Sequence, residues 1–174
     1  AVADQVAERA TQHAVGYARE RKQGRAIGST SKDSDAIIHH PDVKRMLMTM
    51  KASIEAMRRL VYVNAEAIDR SLHSPDAAER AAATERAALL TPLSKGWCTD
   101  LGVELTGTAV QVFGGMGFVE ETGIAQHWRD SRITTIYEGT NGIQAIDLVG
   151  RKLAMRGGAV VAEHLDAIAA LDTE

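Results

Sequence analysis

Residues 111–144 read QVFGGMGFVEETGIAQHWRDSRITTIYEGTNGIQ, and their reading decides the fold. Gly114, Gly115 and Gly117 crowd together directly after an apolar helical run. Glycine lets a backbone approach a ligand closely and adopt positive φ without steric cost. Further on, Glu138 stands between Tyr137 and Gly139-Thr140. A lone carboxylate in a small-residue loop that opens a helix is a candidate general base, provided the loop is buried. Between these features the pattern predicts a short helix over 119–131. The β-branched run Arg132–Tyr137 predicts extended chain. Thr140 or Asn141 caps a helix over about 142–155, with Ile143, Ile146 and Val149–Leu153 facing inward. Arg151, Lys152 and Arg156 near its end suit the helix dipole. Gly157-Gly158 stops it, and residues 159–171 form a short amphipathic tail helix or a mobile end.

Working outward, residues 2–23 predict a helix with Val2, Val6, Ala10, Ala14 and Tyr17 on one face. Gly24 and Gly28 are its stops, and 29–35 (STSKDSD) is a polar loop. A long helix follows over about 41–73, with Pro41 in its first turn, where a missing N–H costs nothing. Its apolar stripe runs Val43, Met46, Leu47, Met50, Ile54, Met57, Val61, Ile68 and Leu72, with Met48 slightly off the face. The methionines fit irregular core gaps. Ser74 and Pro75 open another helix over about 76–113, carrying Leu90, Leu93, Trp97, Leu101, Leu105, Thr108 and Val112. Pro92 lies inside it, and either kinks it or lets Thr91 cap a new helix.

Apolar residues make up 45% of the 174-residue chain and charged residues 25%, the balance of one globular domain large enough for a core. Aromatics are only 4%, which favours closely packed helices over a β-sandwich. A net charge of −3 offers no attraction for nucleic acid or an anionic membrane. No stretch of about 18 apolar residues predicts a membrane span. The single Cys98 falls within an apolar helical pattern as a reduced, buried thiol, in keeping with a cytoplasmic setting. A helical pattern already runs at Ala1-Val2 with no initiator Met, which reads as a boundary inside a longer polypeptide. The fold class is therefore all-α, an up-and-down four-helix bundle with extra short helices.

Four segments in order carry a resemblance. They are Tyr17–Gln23 (YARERKQ), Gln111–Phe118 (QVFGGMGF), Arg129–Ile133 (RDSRI) and Ile136–Thr140 (IYEGT). Together they resemble the C-terminal part of the flavin-dependent acyl-CoA dehydrogenases, over roughly residues 1–156. The wording of HHPDVKRMLMTM, KGWCTDLGVELTG and YEGTNGIQAIDLVGRKL is similar to a branch of larger bacterial members, including long-chain and 3-methylthiopropanoyl-CoA dehydrogenases. The resemblance implies that residues 1–174 are the C-terminal helical bundle of a longer enzyme, whose N-terminal helical and middle β domains precede it.

It also implies roles. Glu138 would be the base that removes the α-proton of an acyl-CoA thioester while the β-hydrogen leaves as hydride to flavin N5. Such a base needs its pKa raised by burial, and the thioester carbonyl needs hydrogen-bond donors. Tyr137 would wall the acyl group and Gly139 leave room for the thioester. Arg21, in Glu20-Arg21-Lys22-Gln23, would reach the FAD pyrophosphate of a partner subunit with its fork of donors, with Gln23 nearby. Here Gly24-Arg25 replaces the usual Phe-Gly, and Arg25 is a second candidate phosphate contact. Gln111, Phe113, Gly114 and Gly115 would touch FAD around its adenosine. Thr140 carries over as a FAD contact. Gly142 stands where the family often has a polar residue, and Asn141 is the candidate substitute. Arg129, Asp130 and Arg132 would form a network fixing the Glu138 loop. In some members the base lies on an earlier helix instead.

The histidines show no ligand spacing with Cys98, so no metal site is expected. No nucleophile–base motif and no phosphate loop occur. The resemblance further implies a homodimer or tetramer assembled through the bundle, and an electron-transfer flavoprotein as acceptor. Two other readings stay open: a non-catalytic helical interaction module, which has no need of an acid in Tyr-x-Gly-Thr, and an acyl-CoA oxidase, which shares the bundle.

Overall fold

The structure, a computed structural model, describes residues 2–173. Among the described residues it is all-α, with one isolated antiparallel bridge pairing Lys22 with Ala36. The principal helices are α1 (Val2–Glu20), α2 (Pro41–His73), α3 (Ala77–Phe113), α4 (Gly115–Phe118), α5 (Ile124–Arg132), α6 (Asn141–Asp147) and α7 (Ala159–Ala169). The chain divides into two compact units, residues 1–57 with 99–134, and residues 58–98 with 135–174. Helices α2 and α3 contribute a segment to each.

In the first unit α1 buries alanines. Ala3, Ala7, Ala10, Ala14 and Ala18 are buried, whereas Val2 is exposed and Val6 and Tyr17 only half-buried. The stripe predicted through Val2, Val6 and Tyr17 is thus rotated. The reason is close backbone approach: a Cβ on Gly102 of α3 would stand 3.2 Å from Ala3 Cβ and 3.3 Å from Ala3 O. Alanine fills such a narrow seam with no rotamer entropy lost. Met46, Leu47, Met50, Ile54 and Met57 of α2 are buried as predicted, and α5 packs on α1. Burying each such side chain contributes about 1.5–3 kcal/mol.

Buried polar bonds organise α5. Thr106 Oγ1 lies 2.8 Å from Ser131 Oγ, with both residues fully buried. The Thr134 hydroxyl donates to Ser131 O at 2.6 Å. That bond winds Ile133–Thr135 into a 3-10 turn, so the extended chain predicted for 132–137 is not found. The helix predicted over 119–131 is likewise divided, into a 3-10 turn at Glu120–Thr122 and α5, by Gly123 at φ 71°.

In the second unit, Ala83, Ala87, Leu89, Leu90, Cys98 and Val160 are buried. Pro92 does not split α3, which is continuous through it, and Thr91 Oγ1 donates back to Ala87 O at 2.7 Å rather than capping a new helix. Asp76, rather than Ser74, caps α3 by accepting the Ala78 N–H at 2.9 Å, while Ser74 Oγ bonds Glu79 at 2.5 Å. The last predicted helix is shorter than 142–155. α6 gives way to a π turn at Leu148–Lys152, and Arg156, Gly157 and Gly158 all have positive φ. Ile143, Ile146 and Val149 are exposed at 55%, 69% and 68%, so this apolar face does not point into a core of this chain. The far end of the predicted α2 stripe is also exposed at Ile68 and Leu72. α7 forms a helix over Ala159–Ala169, the first of the two readings of the tail.

Candidate functional site

The residues marked by the sequence fall into two groups. In the first unit, Tyr17 of α1 stacks on Phe113 of α3 with ring centroids 4.0 Å apart and planes within 13°. Arg21 follows on the same strand of chain, its N–H donating to Tyr17 O at 2.8 Å. The stack therefore brings the Arg21–Gln23 segment beside the turn that begins at Gly114. α1 ends at Glu20, earlier than predicted, because the next residues pair sideways. Ile37 N donates to Arg21 O at 2.8 Å, Gln23 N to Asp35 O at 3.0 Å and Asp35 N to Gly24 O at 2.8 Å. His40 Nε2 donates to Gln23 O at 2.8 Å. The Asp35 carboxylate accepts from Ala26 N at 2.8 Å, and it is held below the usual carboxylate range chiefly by the Ser29 hydroxyl and then by that backbone bond. Arg21 and Gln23 are exposed, and the Arg21 guanidinium is unpaired among the described residues.

The glycine turn is built by two constraints. Gly114 sits at φ 60°, ψ −138°, a region open essentially to glycine alone. Gly117 is buried, and a Cβ there would stand 2.2 Å from Val110 O. Gly114 and Gly115 are exposed, and a Cβ on either would meet nothing within 4 Å. Gln111 is exposed beside them, and Phe113 is buried under Tyr17. The turn thus offers bare backbone to a ligand, and the same unit carries the exposed Arg21 guanidinium. That is the donor set a pyrophosphate group fits.

In the second unit, Glu138 is exposed and stands at φ 53°, a left-handed conformation that costs a non-glycine residue about 1–2 kcal/mol. Gly139 follows at φ 83°, and Gln144 Nε2 donates to Gly139 O at 3.4 Å. Thr140 is the N-cap of α6, its Oγ1 accepting from Ile143 N at 3.3 Å. Asn141 does not cap. Its Oδ1 accepts from Lys95 Nζ at 2.7 Å and its Nδ2 donates to Gly96 O at 3.1 Å. Tyr137, Gly139 and Thr140 are exposed with Glu138. The burial expected of a general base is therefore not supplied by this chain.

The model of the family described as acyl-CoA dehydrogenase, C-terminal domain, matches residues 1–154. The chain belongs to that family. This acyl-CoA dehydrogenase domain is 48% identical over 169 residues to the 3-methylmercaptopropionyl-CoA dehydrogenase of Ruegeria pomeroyi, covering 97% of this chain and 29% of that protein. The butyryl-CoA dehydrogenase structure from Megasphaera elsdenii superposes with a TM-score of 0.64 at 31% identity, covering 87% of this chain and 34% of the other. A structure described as the FAD complex of PigA superposes with a TM-score of 0.67 at 25% identity, covering 87% and 33%. The domain thus spans about a third or less of these relatives. No described helix is long and apolar enough to cross a membrane.

Several sequence readings change on this domain. Arg129 pairs with Glu120 at 2.7 and 3.1 Å and with Gln126 at 3.0 Å, and Gln126 donates to Asp130 at 2.6 Å. These partners lie at and before α5. The buried anchor in RDSRI is Ser131. Asn141, the candidate substitute FAD contact, is bonded within this chain to Lys95 and Gly96. Sequence reading missed Lys95 altogether, since a lysine in a helix carries no signal of a partner far along the chain.

Proposed function

We propose that this chain is the C-terminal helical domain of an FAD-dependent acyl-CoA dehydrogenase, in which Glu138 removes the α-proton of an acyl-CoA thioester. The observation that carries the proposal is the Tyr137–Thr140 turn. It holds an acidic residue in a left-handed conformation ahead of a capped helix, and the domain belongs to a family named for this activity. Backbone strain of this kind persists where surroundings over-determine it, characteristically at functional sites.

Glu138 accepts the α-proton on its carboxylate. Its exposure in this chain means that the apolar wall around the carboxylate would come from the acyl group and from the rest of the enzyme, as well as from Tyr137. Gly139 leaves the thioester room beside the carboxylate. Arg21, Gln23, Gln111, Phe113, Gly114 and Gly115 would hold the FAD of a partner subunit, through the guanidinium and the bare glycine backbone, and Thr140 would contact FAD through its hydroxyl. FAD bound there supplies the acceptor for the β-hydrogen. The enzyme functions as a homodimer or tetramer, and the exposed Ile143, Ile146 and Val149 face is the apolar surface available for assembly. Its electrons pass to an electron-transfer flavoprotein, and it works in the cytoplasm on fatty-acid-type thioesters. The high identity to a 3-methylmercaptopropionyl-CoA dehydrogenase favours a short, sulfur-containing acyl chain.

The experiment mixes the full-length enzyme, anaerobically, with 3-methylmercaptopropionyl-CoA, butyryl-CoA and a long-chain acyl-CoA while flavin absorbance is followed. Bleaching by the sulfur-containing or another short acyl-CoA is expected. A flavin that no acyl-CoA bleaches would overturn the proposal.

A further inference from the structure

The turn that carries Glu138 needs an external brace. Among the described residues its own hydrogen bonds are the 3.4 Å contact from Gln144 Nε2 to Gly139 O, the Thr140 cap and the bond from Gln144 N to Thr140 O at 3.0 Å, all of them to the first turn of α6. Glu138 stands at positive φ, against the backbone preference of a non-glycine residue, so that preference does not hold the turn in place. The next residue, Asn141, is the first of α6 and reaches out to α3 with both ends of its amide. Its Oδ1 accepts a charge-assisted bond from Lys95 Nζ at 2.7 Å, and its Nδ2 donates to Gly96 O at 3.1 Å. The two bonds run in opposite senses to adjacent residues of one helix. They therefore fix the amide plane as well as its position. Gly96 also lies near Gln144, the residue that bonds Gly139: a Cβ at 96 would stand in ordinary contact with Gln144 Cβ, at 3.9 Å.

We propose that Asn141, held by Lys95 and the Gly96 carbonyl, is a positioning residue for Glu138. It sets the height of the α6 N-terminus on α3 and so the placement of the carboxylate. The inference rests on the reading of Glu138 as the base. A misplacement of about 1 Å in such a group costs on the order of 10²-fold in rate. Acting through the turn rather than on the thioester, Asn141 when lost should slow proton removal while leaving the binding of acyl-CoA and FAD alone.

The test uses the full-length enzyme and an acyl-CoA with no β-hydrogen, which allows α-hydrogen exchange into D2O but no hydride transfer. Exchange is followed by NMR and divided by the FAD-loaded enzyme concentration. Asn141→Ala and Lys95→Met should each slow exchange by about 10- to 100-fold with the dissociation constant for the thioester unchanged, and Lys95→Arg, which retains a donor, should restore most of the rate. Glu138→Gln should abolish exchange in the same assay. Exchange within about twofold of wild type in Asn141→Ala, with Glu138→Gln inactive, would overturn the positioning role alone. Loss that disappears once rates are divided by FAD-loaded enzyme would do the same, since it would mark a purely structural role. Undiminished exchange in Glu138→Gln would instead remove the base assignment on which the inference stands.

Discussion

Replacing Gly117 by alanine tests how the glycine turn is built. A Cβ at 117 would stand 2.2 Å from Val110 O, 3.0 Å from Val110 C and 3.0 Å from Val110 Cγ1. A comfortable carbon–oxygen contact is about 1 Å longer than the first of these, so the turn and the last turns of α3 must part by about that much. The obstacle is a backbone carbonyl in a helix, which has no rotamer to escape through. Overpacking of buried positions costs about 1–3 kcal/mol, and this geometry belongs at the upper end. For a chain of this size about 3 kcal/mol corresponds to a fall in Tm of about 6–12 °C. Circular dichroism melting measures it. Gly115→Ala is the internal control: no atom lies within 4 Å of its Cβ and its φ is not positive, so its Tm should stay within about 2 °C of wild type. A Gly117→Ala protein that melts with Gly115→Ala would refute the claim that close approach, rather than turn chemistry in general, fixes this glycine.

The other predictions concern charge and assembly. His13 and His127 face each other, with His127 Nε2 3.2 Å from His13 Nδ1, among Arg9 on α1 and Asp130 on α5; burial is the main cause holding both below the usual imidazole range, with Arg9 adding to it in each. The folded state therefore binds their protons less readily than the unfolded chain. Their contribution to stability is complete above pH about 6.5 and is lost as pH falls through the lower folded values. Urea midpoints between pH 7.5 and 5 should fall in wild type and fall less in a His13→Gln, His127→Gln double variant; equal slopes would contradict the pairing. Ile146→Asp, placed on the exposed α6 face, should shift the full-length enzyme toward monomer in light scattering, while an unchanged mass would show that this face is not the assembly surface.

The sequence showed most where punctuation was explicit. Pro41 and the Ser74-Pro75 break bounded α2 correctly at Pro41 and His73, because a proline at the first turn and a polar break have local causes. α1 was legible as a helix, but its buried face was not. Alanines carry little apolar signal, and only Gly102 approaching Ala3 shows why they rather than Val2 are inside. Ile133–Thr135 followed a tertiary cause over propensity: Thr134 bonds Ser131, which is anchored on Thr106. Ile143 and Ile146 show the limit of periodicity, which reveals an apolar face but not the body that covers it. At the site, a cap at Thr140 or Asn141 was readable from local sequence, and Thr140 is the one that caps α6, whereas the burial expected around Glu138 was not found in this chain. The Lys95–Asn141 bond joins residues far apart in sequence and left no local trace.

The central claim is that Glu138 is the base. In the full-length enzyme, Glu138→Gln should retain FAD and fold as wild type, since the side chain is exposed. Mixed with an acyl-CoA that bleaches the wild-type flavin, it should leave the flavin oxidised, with the rate of reduction lower by at least about 10³-fold. Bleaching at the wild-type rate with FAD retained would place the base elsewhere in the polypeptide and leave this domain the work of holding flavin and assembling the enzyme.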